Sequence, residues 1–226
     1  MSVEPLNFGS SAQGRPLEAF AFGRAPWILV LGAVHGDEIE GLWVVDALRD
    51  EWYKSFSFTN VGVVLWNQVN PDGVAAAQRW NGNRVDLNRN LPTQDWTAEM
   101  TNPRYPPGAS AASEPENKAL VRLIDEKKPI AIFTLHSFKN YQVNANGPAR
   151  AWAEHVASFC DYPVTEDIGY PTPGSLGTYA GKERHIPTIT LEIERGLPKE
   201  KVLALHLPTT RAAIAWWDEQ LGRKTL

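Results

Sequence analysis

Cysteine is almost missing from this chain. Cys160 is the only one in 226 residues, so no intrachain disulfide framework and no thiolate metal cluster can form. The residue reads as a small buried thiol. No stretch approaches the roughly 18 uninterrupted apolar residues of a membrane span. The opening MSVEPLNFGSSAQGRPLEAF has neither a basic leader nor an apolar core, so it is not read as a secretory signal. No run of like charges is long enough to suggest a binding tail: 22 Lys and Arg stand against 26 acidic residues, a formal net charge of -4. That balance offers no footprint for a polyanion, and no nucleic acid or membrane partner is expected. Repeats, low-complexity tracts and composition shifts are absent as well. The expectation is one soluble, cytoplasmic domain over 1–226, with 43% hydrophobic residues to fill its core.

What is present alternates. Trp27–Val34, Val61–Trp66 and Ile130–Leu135 are apolar runs that read as buried strands, and Thr188–Ile193 alternates and is β-branched. Between them, Glu40–Tyr53 places Leu42, Val45 and Leu48 on one helical side. Ser113–Lys127 opens on a Ser113/Glu116 capping-box spacing. Ala149–Cys160 and Lys199–Leu221 are helical too, the latter kinked or split by Pro208. An α/β fold is expected, with a largely parallel sheet flanked by helices on both faces. Residues 67–112, rich in Asn, Pro, Gly and Arg, keep no period. An irregular stretch that long inside a compact domain points to function; 169–181 is a weaker case. Among nine tryptophans, most read as packing, whereas Trp80 and Trp96 are candidates to line a cleft.

Chemistry gathers at the strand ends. LVLGAVHGDEIEG puts His35 and Glu38 just past the first buried strand, on a turn that Gly36 permits. Ligands collect beyond the carboxyl ends of parallel strands, and an imidazole and a carboxylate three residues apart can reach one cation. Alone, the pair reads equally well as a surface His beside a capping acid. His136 shifts that balance, because it ends the strand AIFTLHS at the equivalent edge. Two histidines and a carboxylate with one open position compose a known kind of catalytic zinc site. His155, His185 and His206 read as ordinary. Glu192 in TITLEIER is a carboxylate in an apolar strand, costly to bury without a task or a partner. As a base beside a metal-activated water it has one. Glu194 shares its face, and spacing alone does not choose between them. Arg79, Arg84 and Arg89, with Asn88, offer planar donors for carboxylates and oxyanions in VNPDGVAAAQRWNGNRVDLNRNLP.

In that order, HGDE, NPDG, DLNRN, the LHS strand end and the TLE strand end resemble the zinc carboxypeptidase family, over nearly the whole chain. The resemblance implies a mixed eight-stranded sheet with antiparallel edges. It implies zinc held by His35, Glu38 and His136, with Glu192 as general base and then acid. It further implies Arg79 as oxyanion stabiliser, Asn88 and Arg89 as holders of the substrate's terminal carboxylate, and Tyr170 near the place of a mobile tyrosine. RWNGNRVDLNRNLP, SEPENKAL and GYPTPGSLGTYAG are most similar to the murein peptide amidases of that family. Those cleave the γ-D-glutamyl–meso-diaminopimelate bond of small cell-wall peptides. Ser137 departs from them, standing as in carboxypeptidases proper where some murein amidases are acidic. Two rival readings remain: an N-acyl amino acid deacylase of related site and fold, and a non-catalytic peptide- or glycan-binding module.

Overall fold

The computed structural model describes residues 3–224. One eight-stranded sheet organises them: β1 (Val3–Ser10), β2 (Pro16–Phe22), β3 (Trp27–Leu31), β4 (Gly62–Trp66), β5 (Ala131–Phe138), β6 (Gln142–Asn146), β7 (Val164–Thr165) and β8 (Thr188–Glu194). Their order is β1-β2-β4-β3-β5-β8-β6-β7. The four central strands β4, β3, β5 and β8 are parallel, and they are the four apolar segments of the sequence. Burial on both faces explains their continuous hydrophobicity. Antiparallel pairings come toward the edges, at β1–β2, β2–β4 and β6–β8. The sheet is therefore mixed, as the resemblance implied, and less parallel than periodicity alone indicated.

Successive strand residues point to opposite faces, so each strand feeds two cores. Ile28, Val30, Phe133, Leu135, Ile189 and Leu191 pack on one side. There they meet α1 (Ile39–Trp52), α4 (Arg150–Cys160) and α5 (Lys199–Lys224). Leu29, Leu31, Ile132 and Trp66 pack on the other with Leu120, Leu123 and Ile124 of α3 (Pro115–Lys127). A fully buried side chain of this size contributes up to about 1.5–3 kcal/mol. In α1, Leu42, Val45 and Leu48 are buried as their spacing indicated. Cys160 is a free, buried thiol.

Several local expectations are corrected. No Ser113 capping box forms. Pro115 takes the first helical position, Glu114 is the N-cap, and Ser113 Oγ instead donates to Glu114 Oε1 at 2.6 Å. Of the two outcomes expected at Pro208, a kink or a split, the split does not occur: α5 runs as one helix with the proline inside it. The irregular stretch at 67–112 is real but encloses α2 (Pro71–Ala76) and a short 3-10 turn, Leu87–Arg89. The 169–181 stretch ends in a π-helical turn, Gly177–Lys182.

Candidate metal centre and active site

The order β4-β3-β5 places a topological switch at β3: the chain leaves for β4 on one side and returns to β5 on the other. Such a point opens a crevice at the carboxyl ends of the strands. His35 comes just after β3 there, and His136 lies near the end of β5. The turn is made by Ala33, in the left-handed region at φ 49°, rather than by Gly36. Gly36 answers a different need, because any side chain on it would run into the backbone of Gly73 in α2. Glu38 is the N-cap residue of α1 but gives no side-chain cap to the helix. Its carboxylate turns to the two histidines instead.

His35, Glu38 and His136 each bring a ligand atom into one cluster, all within 4.8 Å of one another, and all three residues are buried. Glu38 Oε1 lies 2.9 Å from His35 Nδ1, and Oε2 lies 2.8 Å from His136 Nδ1. The two Nδ1 atoms are 3.1 Å apart. Behind them, His35 Nε2 stands 3.1 Å from Asp86 Oδ1. An ionised carboxylate only accepts, so Nε2 carries the proton. A neutral His35 then presents a bare Nδ1 lone pair to the ionised Glu38 Oε1 at 2.9 Å. There acceptor faces acceptor, and an additional proton or a central cation relieves it. Two imidazoles and a carboxylate suit zinc with a position left open. The residues fit the ion that the resemblance implies.

Charges around the cluster agree with this. Burial alone would raise the pKa of Glu38, but His35 and His136 hold it well below the usual carboxylate range. Burial and Arg79 favour neutral His35, yet Glu38 and Asp86 outweigh them and raise its pKa. Asp86 is fully buried and depressed, since Arg79 and His35 overcome its desolvation. Arg79 bridges the group, with Nε 2.8 Å from Asp86 Oδ2 and a terminal nitrogen 3.2 Å from Glu38 Oε1.

Glu192 is the in-register partner of His136 on the neighbouring parallel strand. It is 5% exposed, and its pKa is raised to about 7, foremost by burial and also by Glu38. Glu194 pairs with Phe138 further out, is exposed, and lines neither of the two cavities that open at the crevice. The structure thus separates the two carboxylates that spacing left equal.

A cavity of about 430 Å³ contains His35, Glu38, His136, Glu192, Arg79, Asn88, Arg89 and Tyr170 together. Every residue to which the family resemblance gave a role meets there. Trp80 and Trp96, expected as candidates for a cleft wall, are not among its lining residues, nor is Arg84, whose guanidinium lies 5.4 Å over the Trp80 ring. His206 is buried against the Tyr162 hydroxyl, with its pKa lowered to about 4 by burial. A second cavity of about 420 Å³ shares Asn88, Tyr170 and Glu192, and extends past Asn144, Asn146, Ser175, Lys182 and Thr190.

Two residues of the site were not singled out from sequence. Asp86 gave a signal: it is the acid inside an arginine-rich run, shortly before the Asn88–Arg89 pair. Tyr105 gave almost none, being an aromatic in a proline-flanked loop. Its ring centroid lies 5.0 Å from the Arg79 guanidinium and 4.9 Å from that of Arg89. It also stacks on Tyr170 at 5.9 Å and 15°. Burial, then the adjacent Tyr105, pushes the Tyr170 phenol up to about 12.

Residues 2–158 match the zinc carboxypeptidase family, well over half of the chain. Murein peptide amidase A of Vibrio campbellii (strain ATCC BAA-1116) is 32% identical over 212 residues, covering 84% of this chain and 79% of that protein. The Escherichia coli (strain K12) protein of the same name is 31% identical over 82% of this chain and 79% of its own length. Among solved structures, murein-tripeptide amidase MpaA from Escherichia coli O157 superimposes with a TM-score of 0.73 at 26% identity, covering 93% of this chain and 90% of that one. Bovine thrombin-activatable fibrinolysis inhibitor, solved with tick carboxypeptidase inhibitor, shares the fold at TM-score 0.80 and 17% identity, over 98% and 91% of the two chains. Fold, site chemistry and relatives agree: the chain is a hydrolytic enzyme of the zinc carboxypeptidase family.

Proposed function

We propose that the enzyme hydrolyses the amide bond preceding a carboxylate-bearing terminal residue of a small peptide, and that its substrate is the γ-D-glutamyl–meso-diaminopimelate bond of murein peptides. The observation that carries this reading is Arg89. It is 4% exposed, and among the described residues no carboxylate stands within ion-pairing distance of its guanidinium. One terminal nitrogen donates to the Asn88 carbonyl at 2.6 Å, and aromatic rings face the rest. A buried cation without a counterion is costly. A substrate carboxylate arriving through the cavity supplies the missing anion in bidentate form. The adjoining cavity, walled by Asn144, Asn146, Ser175, Thr190 and Lys182, suits a side chain with a polar, charged end such as that of diaminopimelate. The murein amidases among the relatives support the same choice.

In this reading His35 Nδ1, His136 Nδ1 and Glu38 hold a zinc ion, which when bound polarises the scissile carbonyl and lowers the pKa of water. The protein does the rest. Asp86 fixes the His35 tautomer and draws Arg79 to the cluster. Arg79 receives the oxyanion as it forms, a contact worth roughly 3–4 kcal/mol per donor in comparable sites. Glu192, with a pKa brought near neutrality, takes the proton of the attacking water and returns it to the leaving amine. Arg89 fixes where the scissile bond lies.

Zinc-loaded protein incubated with L-Ala-γ-D-Glu-meso-diaminopimelate, an ordinary C-terminal peptide and an acyl-glutamate tests the assignment. Release of diaminopimelate as the dominant reaction is the expected result. Turnover confined to the acyl-glutamate would replace the murein reading with a deacylase.

A further inference from the structure

We infer that Tyr105 is a positioning residue for the substrate carboxylate, its ring setting the Arg89 guanidinium and the Tyr170 phenol in one arrangement before substrate arrives. The inference rests on the reading of the cavity as a carboxylate site.

The loop around Tyr105 has no helix or strand, yet its backbone is tied on both sides to the segment that carries the arginines. The carbonyl of Arg104 accepts from Trp80 Nε1 at 2.9 Å, and that of Pro106 accepts from the Asp86 amide at 2.9 Å. One residue further, the Pro107 carbonyl accepts from Asn90 Nδ2 at 2.7 Å. The half-buried ring thus forms a platform whose backbone is anchored by bonds to residues 80, 86 and 90 and whose face is stacked on Tyr170.

Two like charges meet on that platform. Each guanidinium lies about 5 Å from the ring centroid, within the range where the quadrupole of an aromatic face attracts a cation. Arg79 has Asp86 and Glu38 to hold it, so the ring adds little there. Arg89 has no such ion pair, and its guanidinium donates to a single backbone carbonyl. For Arg89 the rings of Tyr105 and Tyr170 are the compensating surroundings, and Tyr170 is itself stacked on Tyr105. Removing the Tyr105 ring therefore releases Arg89 and Tyr170 together while leaving the His35, Glu38 and His136 cluster in place.

Tyr105→Leu and Tyr105→Phe test this with three readouts. The first is hydrolysis of L-Ala-γ-D-Glu-meso-diaminopimelate against the analogue amidated at the carboxylate beside the scissile bond. Y105L is expected to lower the preference for the free acid roughly tenfold, through KM rather than kcat. Y105F, which keeps the ring, is expected to retain the preference. Unchanged preference in Y105L overturns the inference, and so does an equal loss in both variants. The second readout is the stoichiometry of bound zinc, expected to be equal in all three proteins; its loss in Y105L would mean a general structural role. The third is the crystal structure of each metal-free variant. Displacement of Arg89 and Tyr170 in Y105L alone is expected, and superimposable positions overturn the inference even if no murein peptide is ever cleaved. Cleavage of neither acid nor amide by the unmodified enzyme defeats the proposed substrate instead.

Discussion

Replacing Asp86 by Asn removes one charge and almost no volume, and it leaves three donors competing for a single acceptor. Asp86 Oδ1 accepts from His35 Nε2 at 3.1 Å and from the Asn88 amide at 2.9 Å, while Oδ2 accepts from Arg79 Nε at 2.8 Å. A carboxamide has only one acceptor oxygen. If that oxygen keeps His35 and Asn88, the new NH2 confronts the Arg79 Nε–H. If the amide flips, the NH2 faces His35 Nε2, the proton moves to Nδ1, and the nitrogen nearest Glu38 loses its lone pair as a ligand. Either orientation damages the centre. Partners that orient a metal-bound histidine are typically worth roughly 10- to 100-fold in metal affinity. We expect a zinc dissociation constant weaker by that factor, measured by chelator competition. The metal-free variant should also lose roughly 2 kcal/mol of folding stability in denaturant titrations, less than a full buried ion pair because Arg79 retains Glu38. Zinc affinity unchanged from that of the unmodified protein, with an unchanged unfolding midpoint, would refute the reasoning.

His136→Ala is expected to abolish stoichiometric zinc in elemental analysis, whereas full retention would remove His136 from the centre. Glu192→Gln should keep fold and zinc while turnover falls by several orders of magnitude, since an amide cannot accept the proton; Glu194→Gln should remain active. Stability of the metal-free protein carries a sign that identifies Glu192. Its pKa is raised from 4.5 to about 7 in the folded protein, so the penalty for ionising it is absent below pH 4.5, grows as pH rises, and is complete above 7. Denaturant titrations on either side of that window should therefore show Glu192→Gln gaining relative stability at the higher pH, and a pH-independent difference would contradict the raised value. Amidating the substrate carboxylate should cost about one to two orders of magnitude in kcat/KM. Arg89→Ala should impose a similar loss on the free acid and little more on the amide. Losses that multiply would mean that Arg89 and the carboxylate do not meet.

The parts of this fold legible in the sequence are those whose physics is local. Trp27–Leu31 and Gly62–Trp66 announce themselves because both their faces are dry. Strand β6, QVNAN, does not: every residue is buried, but its asparagines face a polar cavity, so hydropathy sees no strand. Strand β1 hides for the opposite reason, as a half-exposed edge that carries Pro5 and Gly9. At the site the same division holds. His35, Glu38, His136 and Glu192 sit on regular elements or close beside them, where chemistry and position can be read together. Asp86 and Tyr105 belong to a segment placed by long-range hydrogen bonds, such as Asn90 to Pro107 and Trp80 to Arg104, that no periodicity records. Gly174 belongs to the same category: any side chain there would strike the Arg89 backbone, a contact invisible before folding.

The pairing of His136 with Glu192 across two neighbouring parallel strands has a mechanical consequence. Adjacent strands lie about 4.8 Å apart, and a slip by one residue would turn a side chain to the opposite face. The separation of the proposed metal ligand and the proposed base is thus a lattice constant of the sheet, quantised rather than adjustable. No comparable ruler fixes the proposed carboxylate grip, which hangs on loop bonds around Tyr105 and Arg89. As temperature rises the two should fail in sequence: loop fluctuations first raise KM, while kcat holds until the sheet itself melts.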